Sequence, residues 1–186
     1  MNNSLLSKLP KVDRNLSGWP WTKESDIQQY QTTLVYPKIS IVTPSFNQGE
    51  FLAQTIRSVL LQNYPNLEYI IIDGGSSDQS IEIIQKYAPW LTYWISETDK
   101  GQAHAINKSL QHCTGIVFNW LNSDDWYLPN VLETIGRTFT RKLNVQVFCG
   151  QQFIQYANGK FILNRPSPIA KHLERTLSFT HINQPA

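Results

Sequence analysis

No stretch of this sequence approaches the ~18–20 consecutive apolar residues that a membrane-spanning helix needs, so no such helix is expected. Met1 to Arg14 contains no apolar h-region, so a secretory signal is not expected either. Cysteine is scarce. Cys113 and Cys149 fit no metal-binding spacing, and without an export signal they are expected to be reduced thiols. Charged residues are 16% of the chain and apolar residues 41%, a balance that excludes general disorder. Two nucleotide-binding signatures are also missing. There is no GxGxxG after the first predicted strand, which argues against a dehydrogenase, and no GK[ST], which argues against a P-loop NTPase. His104, His112, His172 and His181 show no zinc-ligand spacing, and His104 falls in a predicted helix as a surface or packing residue. Internal repeats and low-complexity segments are absent.

What is present suits one domain: 186 residues can bury roughly 70% of the surface an unfolded chain exposes. The net charge of +2 is unevenly spread. Through Asp125 the net is −3; from Trp126 onward it is +5, with Glu133 and Glu174 the only acids. A basic tail is most simply a solvated face, with attraction to an anionic ligand or membrane surface as the functional alternative. Basic residues are not interleaved with aromatics, so nucleic acid is not an expected partner. The expected location is the cytoplasm, peripheral at the membrane if that tail meets lipid.

Residues 1–37 are polar, carry Pro10, Pro20 and Pro37, and read as an extended arm. Its Gly18-Trp19-Pro20-Trp21 cluster should dock on the main domain, because exposed tryptophans are costly. Residues 38–186 read as the main domain. Ile39 to Thr43 is a short strand expected to end at Pro44. Glu50 to Gln62 places Leu52, Ile56, Val59 and Leu60 on one helical face. Tyr69 to Asp73 is a continuous apolar run, as in a strand covered on both faces. After the turn Gly74-Gly75-Ser76-Ser77-Asp78, Ser77 or Asp78 can cap a helix through Tyr87. Leu91 to Ser96 and Ile116 to Leu121 are further strands, and Gln102 to Gln111 a helix between them. Leu128 to Phe139 is helical, with Pro129 in its first turn. Val145 to Cys149 reads as a strand. Phe153 to Tyr156 and Lys160 to Leu163 flank Ala157-Asn158-Gly159 as a C-terminal β-hairpin. The alternation predicts an α/β fold: a mostly parallel, Rossmann-like sheet flanked by helices.

The polar residues then fall in a telling place. Asn47 follows the first strand, Asp73 ends the second, Glu97 and Asp99 follow the third, and Asp124 and Asp125 follow the fourth. Ligands of open α/β sheets bind outside the carboxyl ends of the strands. Alone, Ser123-Asp124-Asp125 is more often a helix cap or Asx turn, and Asp73-Gly74-Gly75 an ordinary turn. Together they crowd carboxylates at one sheet edge, which a divalent cation such as Mg²⁺ or Mn²⁺ would offset.

Four pieces in this order resemble the family 2 glycosyltransferases of the GT-A fold. They are Ile39-Ser40-Ile41-Val42-Thr43-Pro44-Ser45-Phe46-Asn47, Glu68 through Asp78, Ser96-Glu97-Thr98-Asp99-Lys100-Gly101-Gln102 running into Ala105-Ile106-Asn107-Lys108, and Trp120-Leu121-Asn122-Ser123-Asp124-Asp125. The resemblance implies transfer of a sugar from a nucleotide-diphosphate donor, a UDP-sugar, to a glycan or lipid-linked acceptor, inverting and assisted by Mn²⁺ or Mg²⁺. It implicates Pro44, Phe46, Asn47, Asp73, Gly74, Lys100, Gln102, Asn122, Ser123 and Asp124 in donor binding, and Asp124 and Asp125 at the metal. The sequence departs from the family at two points: many relatives have a second Asp where Gly74 stands, and Asn122 replaces the first acid of the Asp-X-Asp motif. With Asn122 uncharged, weaker metal binding is expected in the absence of donor. An inverting enzyme also needs a carboxylate base late in the chain. Glu133 and Glu174 are poor candidates, so the chain is expected to be truncated before its acceptor region, able to bind donor but with little turnover. The alternatives are a non-catalytic nucleotide-binding or scaffold module and a nucleotidyltransferase. The second lacks its basic phosphate loop, since Ser45-Phe46-Asn47-Gln48-Gly49 contains no Lys or Arg.

Overall fold

Four short apolar runs rich in Ile and Val form one parallel sheet. In the computed structural model, which describes residues 4–12, 15–142, 144–155 and 160–164, these are β1 (Ile39–Ser45), β2 (Leu67–Asp73), β3 (Tyr93–Ser96) and β4 (Val117–Trp120), ordered β3-β2-β1-β4. Every residue of β1 is buried, and so is β2 from Glu68 onward, because helices cover both faces. On one face α1 (Gly49–Leu60), α2 (Ser80–Tyr87) and α4 (Val131–Arg141) bury Leu52, Ile56, Val59, Ile84 and Leu132 with Ile39, Ile41, Tyr69 and Ile71 of the strands. On the other, α3 (Gln102–Ser109) brings Ala105 against Val42, Ile70 and Ile72. The expected apolar face of α1 is therefore the one that meets the core.

β1 does not stop at Pro44. It runs on to Ser45, with Pro44 opposite Ile72 of β2. The reason lies in the alternating direction of backbone groups. Val42 O accepts from Leu121 N on the β4 side, so the peptide of Pro44, two residues on, faces that side too. Pairing with β4 ends at Val42, and the missing N–H costs no ladder bond. Two other expectations need correction. Pro129 lies outside α4, which starts at Val131 after Asn130 in a left-handed conformation (φ 67°). Val145 to Cys149 is irregular, with Val147 and Phe148 exposed, since no strand among the described residues pairs with it.

The chain divides into two compact units, residues 1–143 and 144–186. Within the first, the described residues ahead of Lys38 contribute to the core: Leu9, Tyr30 and Tyr36 are buried. Tyr30, Tyr36 and Tyr64 pack edge to face with centroids 5.2–5.9 Å apart. The expected tryptophan docking is present, with Trp19 packed on the core and its Nε1 donating to Tyr127 O at 2.7 Å. In the second unit, β5 (Gln152–Gln155) and β6 (Phe161–Asn164) pair antiparallel as the expected hairpin. Its Ala157-Asn158-Gly159 turn lies outside the described residues, as do His172, Glu174 and His181. No described helix is long and apolar enough to cross a membrane.

Candidate functional site at the carboxyl edge of the sheet

Because all four strands are parallel, Ser45, Asp73, Ser96 and the Leu121–Asp125 loop meet at one edge. The order β3-β2-β1-β4 puts the change of winding direction between β1 and β4, where a crevice opens in sheets of this kind.

Two of the loops are stapled together. Asn47, held at φ 52°, accepts from Ser77 N at 2.9 Å through Oδ1, and its own N–H donates to Ser76 Oγ at 2.8 Å. Asp78 accepts from Gly49 N and Ser80 N, each at 2.9 Å. Burial acts to raise the Asp78 pKa, but these bonds and one from the Ser80 hydroxyl outweigh it and hold the carboxyl below its usual range. Asp78 thus joins the start of α2 to the start of α1. Asp73 is fully buried, and its carboxylate accepts from Gly75 N, Ser76 N and the hydroxyls of Ser76 and Ser96. These bonds organise the turn after β2.

The remaining candidates lie nearer to solvent. Phe46 is 59% exposed, and Lys100 and Gln102 are exposed. Gly74 lies close against Asp99: a Cβ there would stand 3.1 Å from Asp99 Oδ2, and the Asp99 side chain would have to give by a few tenths of an ångström. The front of β2 therefore still carries a carboxylate, contributed from position 99 instead of position 74. Asp99 Oδ1 also accepts from Gly101 N at 2.7 Å, ordering the turn into α3. Gln102 Nε2 donates to Asn122 Oδ1, which ties the β3–α3 loop to the loop after β4. Ser45, buried at the end of β1, has a hydroxyl with no hydrogen-bond partner among the described residues.

Asp124 is exposed and Asp125 half-buried. Burial raises the pKa of Asp125, and the neighbouring Asp124 charge raises it further, while a hydrogen bond from Asn122 lowers it. The described ion pairs, Lys38–Glu68, Lys108–Glu97 and Arg137–Glu133, leave this pair uncompensated. Two adjacent carboxylates suit a Mn²⁺ or Mg²⁺ ion that takes its other ligands from phosphate and water. Among the described residues no group of three or more His, Cys, Asp or Glu forms a full cage. Glu133 is held by Arg137 Nε at 2.9 Å within α4 and is turned to that pairing.

Sequence reasoning missed what supports this loop. Thr55, Ser58 and Gln62, on α1 and just past its end, look like ordinary helix-surface residues but are all buried. Thr55 Oγ1 lies 2.8 Å from Ser123 O and 2.7 Å from Asp125 O. Ser58 Oγ accepts from Tyr127 N, and Gln62 Nε2 donates to Leu128 O at 2.9 Å. Their spacing of three and four residues was the available signal.

Comparison with known proteins agrees with this fold. The family described as Glycosyl transferase family 2 matches residues 40–184. An uncharacterized glycosyltransferase of Rickettsia typhi is 30% identical over 132 residues, covering 70% of this chain and 41% of that protein. One from Mycobacterium tuberculosis is 38% identical over 90 residues, covering 48% and 34%. The chain thus spans less than half the length of these curated relatives. Among solved structures, S. aureus TarS 1-349 in complex with UDP-GlcNAc aligns with a TM-score of 0.53 at 18% identity, covering 66% of this chain and 41% of that one. The mannosyltransferase PcManGT from Pyrobaculum calidifontis, in complex with GDP-Man and Mn²⁺, aligns with a TM-score of 0.50 at 23% identity, covering 57% and 32%. At such identities these structures speak for the GT-A fold.

Proposed function

Since the chain belongs to glycosyl transferase family 2, we propose that the carboxyl edge of its sheet binds a nucleotide-diphosphate sugar, a UDP-sugar, as donor for inverting transfer to a glycan or lipid-linked acceptor. The observation that carries this reading is the adjacent pair Asp124 and Asp125, without an ion-pair partner among the described residues, at the carboxyl edge where the winding changes between β1 and β4. These two residues would hold Mn²⁺ or Mg²⁺, which when bound supplies Lewis-acid stabilisation of a leaving diphosphate. Phe46 offers an apolar face to the base beside Pro44. Gly74 keeps the front of β2 low, so that Asp99 and Lys100 can approach the ribose and diphosphate. Asn47 and Asp73 act indirectly, by fixing the turns. Asn122 and Ser123 set the backbone from which Asp124 projects. The general base is assigned to no described residue, since Glu133 is paired with Arg137.

Calorimetry with UDP-sugars, with and without Mn²⁺, tests the reading. Binding should require or be strengthened by the ion, and Asp124→Ala should abolish that dependence. Equal binding by both proteins in both conditions would remove the metal from the account. Asn122 and the paired Glu133 favour a second reading, a donor-binding module that does not itself transfer. Sugar transfer by this chain to a defined acceptor would eliminate it.

A further inference from the structure

Thr55 lies on the side of α1 that meets the loop after β4. It is 1% exposed, and its single hydroxyl stands within hydrogen-bond distance of two carbonyl oxygens, those of Ser123 and Asp125. A hydroxyl has one proton to donate, so the two acceptors converge on one point. Carbonyls two residues apart meet at one atom only when the loop curls tightly around it. The peptide oxygens of 123 and 125 then turn in towards α1, and the residue between them is carried on the outside. The exposures match: Ser123 is buried, Asp124 exposed and Asp125 half-buried. One further loop bond, Asp125 N to Asn122 O at 3.1 Å, closes the curl. A methyl group in place of the hydroxyl would leave two buried carbonyls facing carbon, and the loop would have to open to satisfy them.

We propose that Thr55 is a positioning residue for cation binding, whose hydroxyl gathers the Ser123 and Asp125 carbonyls and so presents Asp124 and Asp125 to the ion. This rests on the donor and metal reading given above. Ser58 and Gln62 continue the same contact along α1, to Tyr127 and Leu128, and anchor the loop downstream of the acids. Thr55 is the member of the stripe that touches the acid-bearing segment itself.

The test compares UDP affinity with and without Mn²⁺ for the full chain, by calorimetry, in five proteins: unmodified, Thr55→Val, Thr55→Ser, Glu68→Gln and Asp124→Ala. Val matches Thr in shape without the hydroxyl, and Ser retains the hydroxyl without the methyl. Glu68→Gln, at the opposite edge of the sheet, controls for lost stability alone. Thr55→Val should weaken UDP binding about five- to tenfold in Mn²⁺, the scale of one lost buried hydrogen bond, and leave metal-free binding unchanged. Thr55→Ser should restore the Mn²⁺ enhancement, and Glu68→Gln should keep it. Full enhancement in Thr55→Val overturns the proposal, as does its loss in Thr55→Ser or an equal loss in Glu68→Gln. If Thr55→Val does not fold, Thr55→Cys, with a weak thiol donor, takes its place under the same criteria. No enhancement in the unmodified chain, or full enhancement in Asp124→Ala, sinks the metal reading itself. Loss in Asp124→Ala with none in Thr55→Val sinks only the role of Thr55.

Discussion

Glu68 and Ser45 are buried polar residues on neighbouring strands, at opposite edges of one sheet. Glu68 accepts from Ser40 Oγ, Thr114 N and Thr114 Oγ1, and faces Lys38 Nζ at 3.5 Å. Burial works against its charge, but these partners outweigh it and bring the pKa from 4.5 down to about 2. A folded pKa below the unfolded one stabilises above the unfolded value and ceases to do so as pH falls through the folded one. The contribution, on the order of 3 kcal/mol, is therefore complete above pH ~4.5 and disappears towards pH ~2. Urea titrations across that range should show the unmodified protein losing more stability than Glu68→Gln, so that the gap between them, about 1.5–3 kcal/mol at neutral pH, closes towards pH ~2. Ser45 presents the reverse case. Its hydroxyl has no partner to lose among the described residues, so Ser45→Ala should leave stability unchanged or raise it by up to about 1 kcal/mol. A clear loss of stability in that variant would mean the hydroxyl is bonded within the protein. Asp73 and Asp124 both stand in signature sequences, yet only Asp124 reaches solvent. Sequence position alone could not divide them, because the division depends on the two serines that surround Asp73.

At the scale of elements, α1 is the most revealing. Its apolar face was legible from Leu52, Ile56, Val59 and Leu60, because period carries that information. Its other buried residues were not, because a polar residue within a helix reads as solvent-facing until a partner segment is known. Arg57 is 2% exposed and has no carboxylate partner among the described residues. Its guanidinium donates to Pro20 O at 3.0 Å, Trp21 O at 3.0 Å, Pro10 O at 3.3 Å and Tyr87 OH at 3.4 Å, and lies 5.8 Å from the Trp21 ring centre. One side chain thus gathers two turns of the N-terminal segment onto α1. Arg57→Met keeps the length and removes the donors, leaving three carbonyls unpaired. It should destabilise by about 2–4 kcal/mol and expose residues 10–21 to limited proteolysis before the rest of the chain. Simultaneous cleavage throughout would contradict this role. The strand expected at Val145 to Cys149 shows the converse limit: β-forming residues make a strand only where a neighbour offers its edge.

For the molecule as a whole, the family match begins at residue 40, whereas the core begins at Leu9. Residues read from composition as an extended arm supply Leu9, Tyr30 and Tyr36 to the main cluster. They also bond to the loop beyond the acids, through Trp19 to Tyr127 and Ser25 to Asn130. Tyr64 OH, past the end of α1, donates to Pro37 O at 2.7 Å. A chain cut at residue 38 would expose Tyr64 and leave Arg57 without its carbonyl partners. It should fail to give a cooperative unfolding transition, in contrast to the full chain; a sharp transition near that of the full chain would show the arm to be dispensable. Isolated Leu and Tyr residues without period give no local signal, and only the tertiary arrangement shows that they fill one space.

The staple between the loops after β1 and β2 bears on how such sequences are interpreted elsewhere. Asn47, Ser76, Ser77 and Asp78 hold those loops to each other through bonds that need no ligand. A descendant of this chain that had abandoned sugar chemistry altogether would still need them to fold. Their presence in a genome is a record of architecture, and it ages at the rate of architecture. Asp124 makes no comparable contribution to the scaffold, so drift could erase it without consequence for folding. Its persistence or loss is therefore the better witness to whether a given copy is still at work.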